Sequence, residues 1–112
     1  MSRPSMRFVS VKRVEQRDVQ ATHRVRSELM KQRTAKAQQI RGLVSEYGLV
    51  APLRLTALRA AIPRWLEDAE NGLTSGFRAL LHGLWRDLTG LDDRVAELTG
   101  EIEGIAKADP VA

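Results

Sequence analysis

The chain contains no cysteine, so it has neither a disulfide frame nor a thiolate metal site, a usage that fits a reducing cytosol. No apolar run approaches the roughly 18 to 20 residues needed to cross a bilayer, and the opening MSRPSMRFVS has no hydrophobic core of a signal peptide. A cytoplasmic protein without a membrane partner is expected. The motifs of self-contained enzymes are also missing: there is no GxSxG, GxxxxGK[ST] or GxGxxG, and no Ser, His and Asp arrangement. His23 and His82 lie far apart, and neither has a second ligand at a workable local offset. Glu67, Asp68 and Glu70, or Asp92, Asp93 and Glu97, could hold Mg²⁺ through one or two carboxylates and waters. A solvated helix face accounts for the same acids, and neither a metal nor a catalytic residue is expected in this chain.

What is present suffices for a fold of modest size. At 112 residues there is room for one domain, and 43% hydrophobic with 29% charged residues is too apolar for a disordered tail. Charge is divided unevenly. Residues 1–64 hold 14 Lys and Arg against 4 Asp and Glu, a net of +10, whereas residues 65–112 hold 4 against 10, a net of −6. The basic half can attract a polyanion, and the two halves can attract each other if they lie antiparallel.

Residues 1–12 carry Pro4 and then RFVSVK, a β-favouring run that reads as a short extended segment in need of a neighbouring strand. From 13 to 48 the pattern is one long helix. At 100° per residue Val14, Ala21, Val25, Leu29, Ile40, Leu43 and Tyr47 share an apolar face, interrupted where Lys36 and Ala37 contribute little. Arg13, Arg17, Arg24 and Lys31 form a basic stripe off that face, roughly 27 Å long at 1.5 Å per residue. Arg13 is a poor helix cap, and Gly48 is a good residue for terminating the helix. Residues 49–72 read as short helices and turns, with Pro52 able to open a helix, Pro63 ending one or starting the next, and Asn71-Gly72 a turn. Leu53, Leu55, Leu58 and Ile62 are expected to be buried there, joined by Trp65 and Leu66.

The clearest periodicity lies in 73–106. Leu81, Leu84, Leu88, Leu91, Val95, Leu98, Ile102 and Ile105 alternate steps of three and four, a heptad seam. Gly76, Gly83, Gly90, Gly100 and Gly104 each weaken this helix by up to about 1 kcal/mol relative to Ala, so a packing partner must hold it. The apolar face of the first helix is the nearest candidate. Asp109-Pro110 ends the pattern, leaving 107–112 as a tail. The expected fold is all-α: two long antiparallel helices joined by short ones, preceded by the extended segment. The same heptad could equally join two copies into a homo-oligomer.

One surface points to function on charge alone. Between His23 and Arg41 six cations face one acid, Glu28. Arg17, Arg24, Arg26, Lys31, Arg33 and Arg41 are the candidate contacts to nucleic-acid phosphates, because a guanidinium can grip phosphate oxygens in pairs. Apart from Tyr47 this helix carries no aromatic residue to stack on bases, so backbone contact rather than sequence reading is expected. The rival is a structural coiled-coil module whose basic helix is neutralised by the acidic one and touches no nucleic acid. The two are separated by whether Arg17, Arg24 and Lys31 are engaged by acids or exposed.

Finally, RPSMRFVSVK, then Glu15-Gln16, HRVR at 23–26, RTA at 33–35, QIRGL at 39–43 and EYG at 46–48 resemble the segment after the last catalytic acid in the DEDD-type transposases of bacterial insertion sequences, the group numbered one-ten. The likeness continues more loosely through LEDAENGL at 66–73 and the heptad. It implies a DNA recombinase with a RuvC-like domain binding Mg²⁺ through four acids, a helical coiled-coil region, a serine-bearing domain, and DNA and a structured guide RNA as partners. Only the end of the first part, over 1–12, and the helical region match, so no catalytic residue is carried over and the chain alone is expected to be inactive. Ser10 and Arg13 stand where the family usually has Pro and Ser. Lys36 and Ala37 occupy two positions that are apolar in the family. A truncated or decayed reading frame that starts internally at Met1 is expected.

Overall fold

An extended segment with no neighbouring strand leaves its backbone donors and acceptors unpaired, whereas a helix satisfies them internally. The chain takes the second course. The computed structural model describes the backbone of residues 3–108 and the side chains of 16–105. In it the first helix, α1, spans Arg3–Ser45 without a break. The extended segment expected over residues 1–12 is therefore replaced by helix from Arg3 onward. Pro4 falls in the first turn, where its missing N–H leaves no intrahelical bond unmade. Arg13 and Val14 lie outside the described side chains.

Two further helices follow, α2 over Leu55–Glu67 and α3 over Ser75–Ala108; Asp109 and Pro110 lie outside the described residues. α1 and α3 pack against each other, and α2 lies against α3. The long pair is antiparallel and in step. Arg26 meets Thr99, Arg33 meets Asp92 seven residues on, and the Tyr47 ring stacks on Phe77 with centroids 4.0 Å apart. The molecule is a rod of 73 × 27 × 18 Å.

The heptad of α3 faces the seam as its periodicity requires. Leu81, Leu84, Leu88, Val95 and Leu98 are buried, Leu91 and Ile102 are half-buried, and Ile105 is 42% exposed. α1 meets it on a different face from the expected one. Its buried residues are Ala37, Ile40 and Val44, and the half-buried positions leading up to them include Val19, Thr22, Arg26, Leu29 and Arg33. At 100° per residue this seam is turned by about 90° from the face of Ala21, Val25, Leu43 and Tyr47. Ala21 is exposed, and Val25 and Tyr47 are 49% and 41% exposed. Ala37, expected to contribute little, is a core residue, and Lys36 sits beside the seam rather than in it. Arg26 and Arg33 belong to the seam because their hydrocarbon stems can lie along apolar surface while their heads reach polar partners. Those partners, Thr99 and Asp92, bracket the buried Val95 and Leu98.

The turns are built by named bonds. α1 ends with Gly48 at φ +82°. The Leu49 N–H donates to the Val44 carbonyl at 3.1 Å and the Gly48 N–H to the Ser45 carbonyl at 3.0 Å, the paired bonds of a Schellman ending. Leu49 folds back onto the cluster that contains Val44. The linker is tied to α1 by Arg41, which donates to the carbonyls of Pro52 at 3.0 Å and Leu53 at 2.5 Å. Held this way, Leu53 points outward and is 87% exposed, contrary to its expected burial, while Leu58 and Ile62 are buried.

Pro63 lies inside α2 rather than at its edge. Because proline has no N–H, the carbonyl of Arg59 loses its helical donor. Trp85 of α3 supplies the replacement, its Nε1–H donating to that carbonyl at 3.3 Å. At the next corner Gly72 has φ +81°, and Thr74 caps α3 by accepting from the Phe77 N–H at 3.1 Å. Arg78 donates to the carbonyls of Trp65, Leu66, Asp68 and Leu73 and to Asn71 Oδ1, satisfying the open end of α2 from the first turn of α3.

The glycines of α3 face open space: a Cβ at Gly83 or Gly90 would meet nothing within 4 Å. The double change Gly83→Ala and Gly90→Ala is expected to stabilise the fold by about 1–2 kcal/mol in urea unfolding. Gly48→Ala, at positive φ, is expected to destabilise it by about 1 kcal/mol. Equal effects of the two kinds of change would contradict this geometry.

Candidate nucleic-acid interface

The phase of α1 against α3 decides which of its cations remain available. Arg26, Arg33 and Arg41 are turned inward. Arg26 Nε donates to Thr99 Oγ1 at 2.6 Å, Arg33 Nη1 to Asp92 Oδ1 at 2.6 Å, and Arg41 to the linker carbonyls. Arg17, Arg24 and Lys31 are exposed. Spaced by seven, they form one stripe on the side of α1 turned directly away from α3, roughly 21 Å long at 1.5 Å per residue. Among the described residues none of the three is in an ion pair. The six candidates thus divide into three that hold the hairpin together and three that form an open ridge.

Neutral polar side chains flank that ridge. Gln20, Ser27 and Gln38 are exposed and within about 60° of its centre line. A shallow groove beside it is lined by Ser27, Met30, Lys31, Thr34 and Ala35. Amides and hydroxyls of this kind bond phosphate and sugar oxygens alongside Arg and Lys. A charge count passes over them, although their spacing from Arg17 places them on the ridge. Glu28, also exposed, is the one acid between Arg24 and Lys31.

Asp92 is the electrostatic centre of the hairpin. Its two carboxylate oxygens accept from Arg33 of α1 and from Arg59 of α2, so one side chain of α3 ties all three helices. It is 18% exposed, whereas its neighbour Asp93 is 77% exposed and meets Arg59 only at 3.9 Å. Asp92, Asp93 and Glu97 are therefore not a shared ligand set, and among the described residues no three His, Cys, Asp or Glu come together as a metal-holding group. His82 lies beside Trp85, ring centroids 6.0 Å apart, and His23 is exposed on α1. Among the described residues no helix is long and apolar enough to cross a membrane.

The chain is 39% identical over 108 residues to the transposase for insertion sequence element IS1111A of Coxiella burnetii, covering 96% of this chain and 30% of that protein. It is 40% identical over 109 residues to a probable family 20 transposase of Pseudomonas aeruginosa, covering 96% and 32%. It is 27% identical over 113 residues to the transposase for insertion sequence element IS1328 of Yersinia enterocolitica, covering 99% and 32%. The chain thus spans about a third of the length of these curated relatives, and nearly all of it is similar to a segment of insertion-sequence transposases. No family model and no solved structure matches it.

Replacing Asp92 with Asn keeps its size but removes the charge that two guanidiniums share. It is expected to lower stability by about 1–3 kcal/mol. Asp93→Asn, at an exposed position, should change it by less than about 0.5 kcal/mol. Urea unfolding of the two variants checks this, and a smaller effect at Asp92 than at Asp93 would contradict the assignment of the tie.

Proposed function

We propose that this chain is a helical, nucleic-acid-gripping segment of an insertion-sequence transposase, and that its grip is the outward ridge of α1. The observation that carries this is the exposure of Arg17, Arg24 and Lys31 in one row on the side away from α3. Had they been neutralised by the acids of α3, the structural coiled-coil reading would have gained instead. Arg26, Arg33 and Arg41 support the ridge by fixing the helix that bears it.

Three well-spaced cations with amides and hydroxyls beside them can hold a phosphate backbone, and with no aromatic residue on the ridge they offer no stacking for unpaired bases. The finer assignment follows the sequence resemblance to the DEDD group. On that assignment the partners are the element's DNA and a structured guide RNA, and the Mg²⁺-dependent strand chemistry belongs to acids and a serine outside the segment matched here. The role left to this hairpin is to position nucleic acid for that chemistry.

Salt dependence provides the test. Each phosphate neutralised contributes about −0.9 to the slope of log affinity against log salt, so three contacts give about −3 on a duplex. Fluorescence anisotropy with 30-base-pair DNA and RNA duplexes, between 50 and 200 mM salt, is expected to show such a slope. The triple variant R17Q/R24Q/K31Q should bind weakly and with a nearly flat response. A flat response in the parent chain, or unchanged binding by the triple variant, would overturn the proposal.

A further inference from the structure

A DNA duplex offers a cation two kinds of target and a carboxylate only one. Lys and Arg bond phosphates or base acceptors, whereas Glu is repelled by phosphates and finds its donors on base edges. A phosphate grip therefore leaves Glu28 of the ridge unexplained. Glu28 is exposed, about 6 Å past Arg24 and about 4.5 Å before Lys31 along the axis. Both cations are within helical pairing reach of it, yet among the described residues it is in an ion pair with neither. Around the helix Arg17, Arg24 and Lys31 stand about 20°, 40° and 60° to one side of Glu28, with Gln20 and Ser27 beyond them on that side. Ala21 and Gln32, both exposed, stand about 20° and 40° to the other. The outer surface of α1 is thus divided lengthwise into a strip of cations and a strip that holds Glu28, Gln32 and the small Ala21.

Access is the second observation. The seam with α3 lies about 150° round α1 from Glu28, and α2 packs against α3. From Arg17 to Ala35 the outward residues of α1 are exposed. A helix with its side chains is about 10–12 Å across, which the B-form major groove, about 12 Å wide, admits and the minor groove, about 6 Å wide, does not. The A-form major groove of RNA is too deep and narrow to be read. A lack of aromatic residues removes stacking on unpaired bases and has no bearing on the edges of paired ones.

Building on the phosphate grip proposed for the ridge, we infer that α1 lies in the major groove of B-form DNA and reads sequence there. Arg17, Arg24 and Lys31 hold phosphates of one strand, and the Glu28 carboxylate accepts from the N4 amino group of a cytosine. Gln32 lies about 6 Å farther along, close to two base pairs at about 3.4 Å each, and its amide suits adenine N6 and N7.

Selection from DNA duplexes with a randomised centre tests this. The full chain is expected to enrich a cytosine that E28Q, with unchanged circular dichroism, exchanges for adenine, because an amide pairs with adenine. On the selected duplex, changing that C·G pair to T·A should weaken the parent at least about fivefold, and the same change in an RNA duplex should have no effect. Failure to enrich cytosine, cytosine enrichment that E28Q retains, or uniform tightening by E28Q on every sequence would overturn the inference. Salt dependence separates its failure from that of the ridge. A slope of about −3 without sequence preference removes the groove assignment alone, whereas a flat response removes both.

Discussion

The leucine stripe of α3 cannot remain in water, and most of the structure follows from how it is covered. Each of its fully buried side chains contributes roughly 1.5–3 kcal/mol relative to exposure. The helix that carries them is studded with glycines and has little propensity of its own. α1 covers the stripe, running antiparallel and in step with it, and in doing so takes its own rotational phase from α3. Near the turn the contact is apolar, through Ala37, Ile40 and Val44. Farther along, it is made by long cationic side chains whose heads find Thr99 and Asp92. The seam therefore changes from wholly apolar to mixed apolar and polar along one interface, and α2 reaches the polar part through Arg59 at Asp92.

That phase also divides the arginines. A cation in the seam is held by a partner and serves stability; a cation half a turn away is left to the solvent. Arg33 shares Asp92 with Arg59, while Arg24, two residues before Arg26, stands on the outer ridge. Charge composition cannot separate these roles, because Arg24 and Arg26 contribute alike to a count. The helix's angular position relative to α3 does separate them, and it leaves Arg17, Arg24 and Lys31 on one open ridge.

Much of this was legible in the sequence where spacing alone decides. The α3 heptad, the Gly48 ending of α1 and the Asn71-Gly72 corner were each readable, because each depends on local geometry or on a period that repeats without error. The face of α1 was not, because Arg26, Arg33 and Thr22 sit in the seam and look hydrophilic, while Val25 looks like core and lies outside it. The start of α1 was misread as extended because β-branched residues in RFVSVK favour a strand only when a strand is beside them. Pro63 inside α2 was missed because its vacated carbonyl is satisfied from another helix, by Trp85, a contact that no local pattern contains. The ridge of Arg17, Arg24 and Lys31 was legible as a spacing, and its openness became apparent only once the seam was placed.

The closed pairing of α1 with α3 is the proposition on which the ridge and the Asp92 tie both rest, and a distance measurement reaches it most directly. Because the chain has no cysteine of its own, spin labels can be placed singly at Gln20 and Glu103, both exposed and on opposing helices far from the turn. Pulsed electron resonance of the doubly labelled chain, diluted into unlabelled protein, should give a narrow distribution near 20 Å, the interaxial spacing of 8–10 Å plus the label arms. A broad distribution centred beyond about 40 Å would show the helices apart at that end and would contradict the seam.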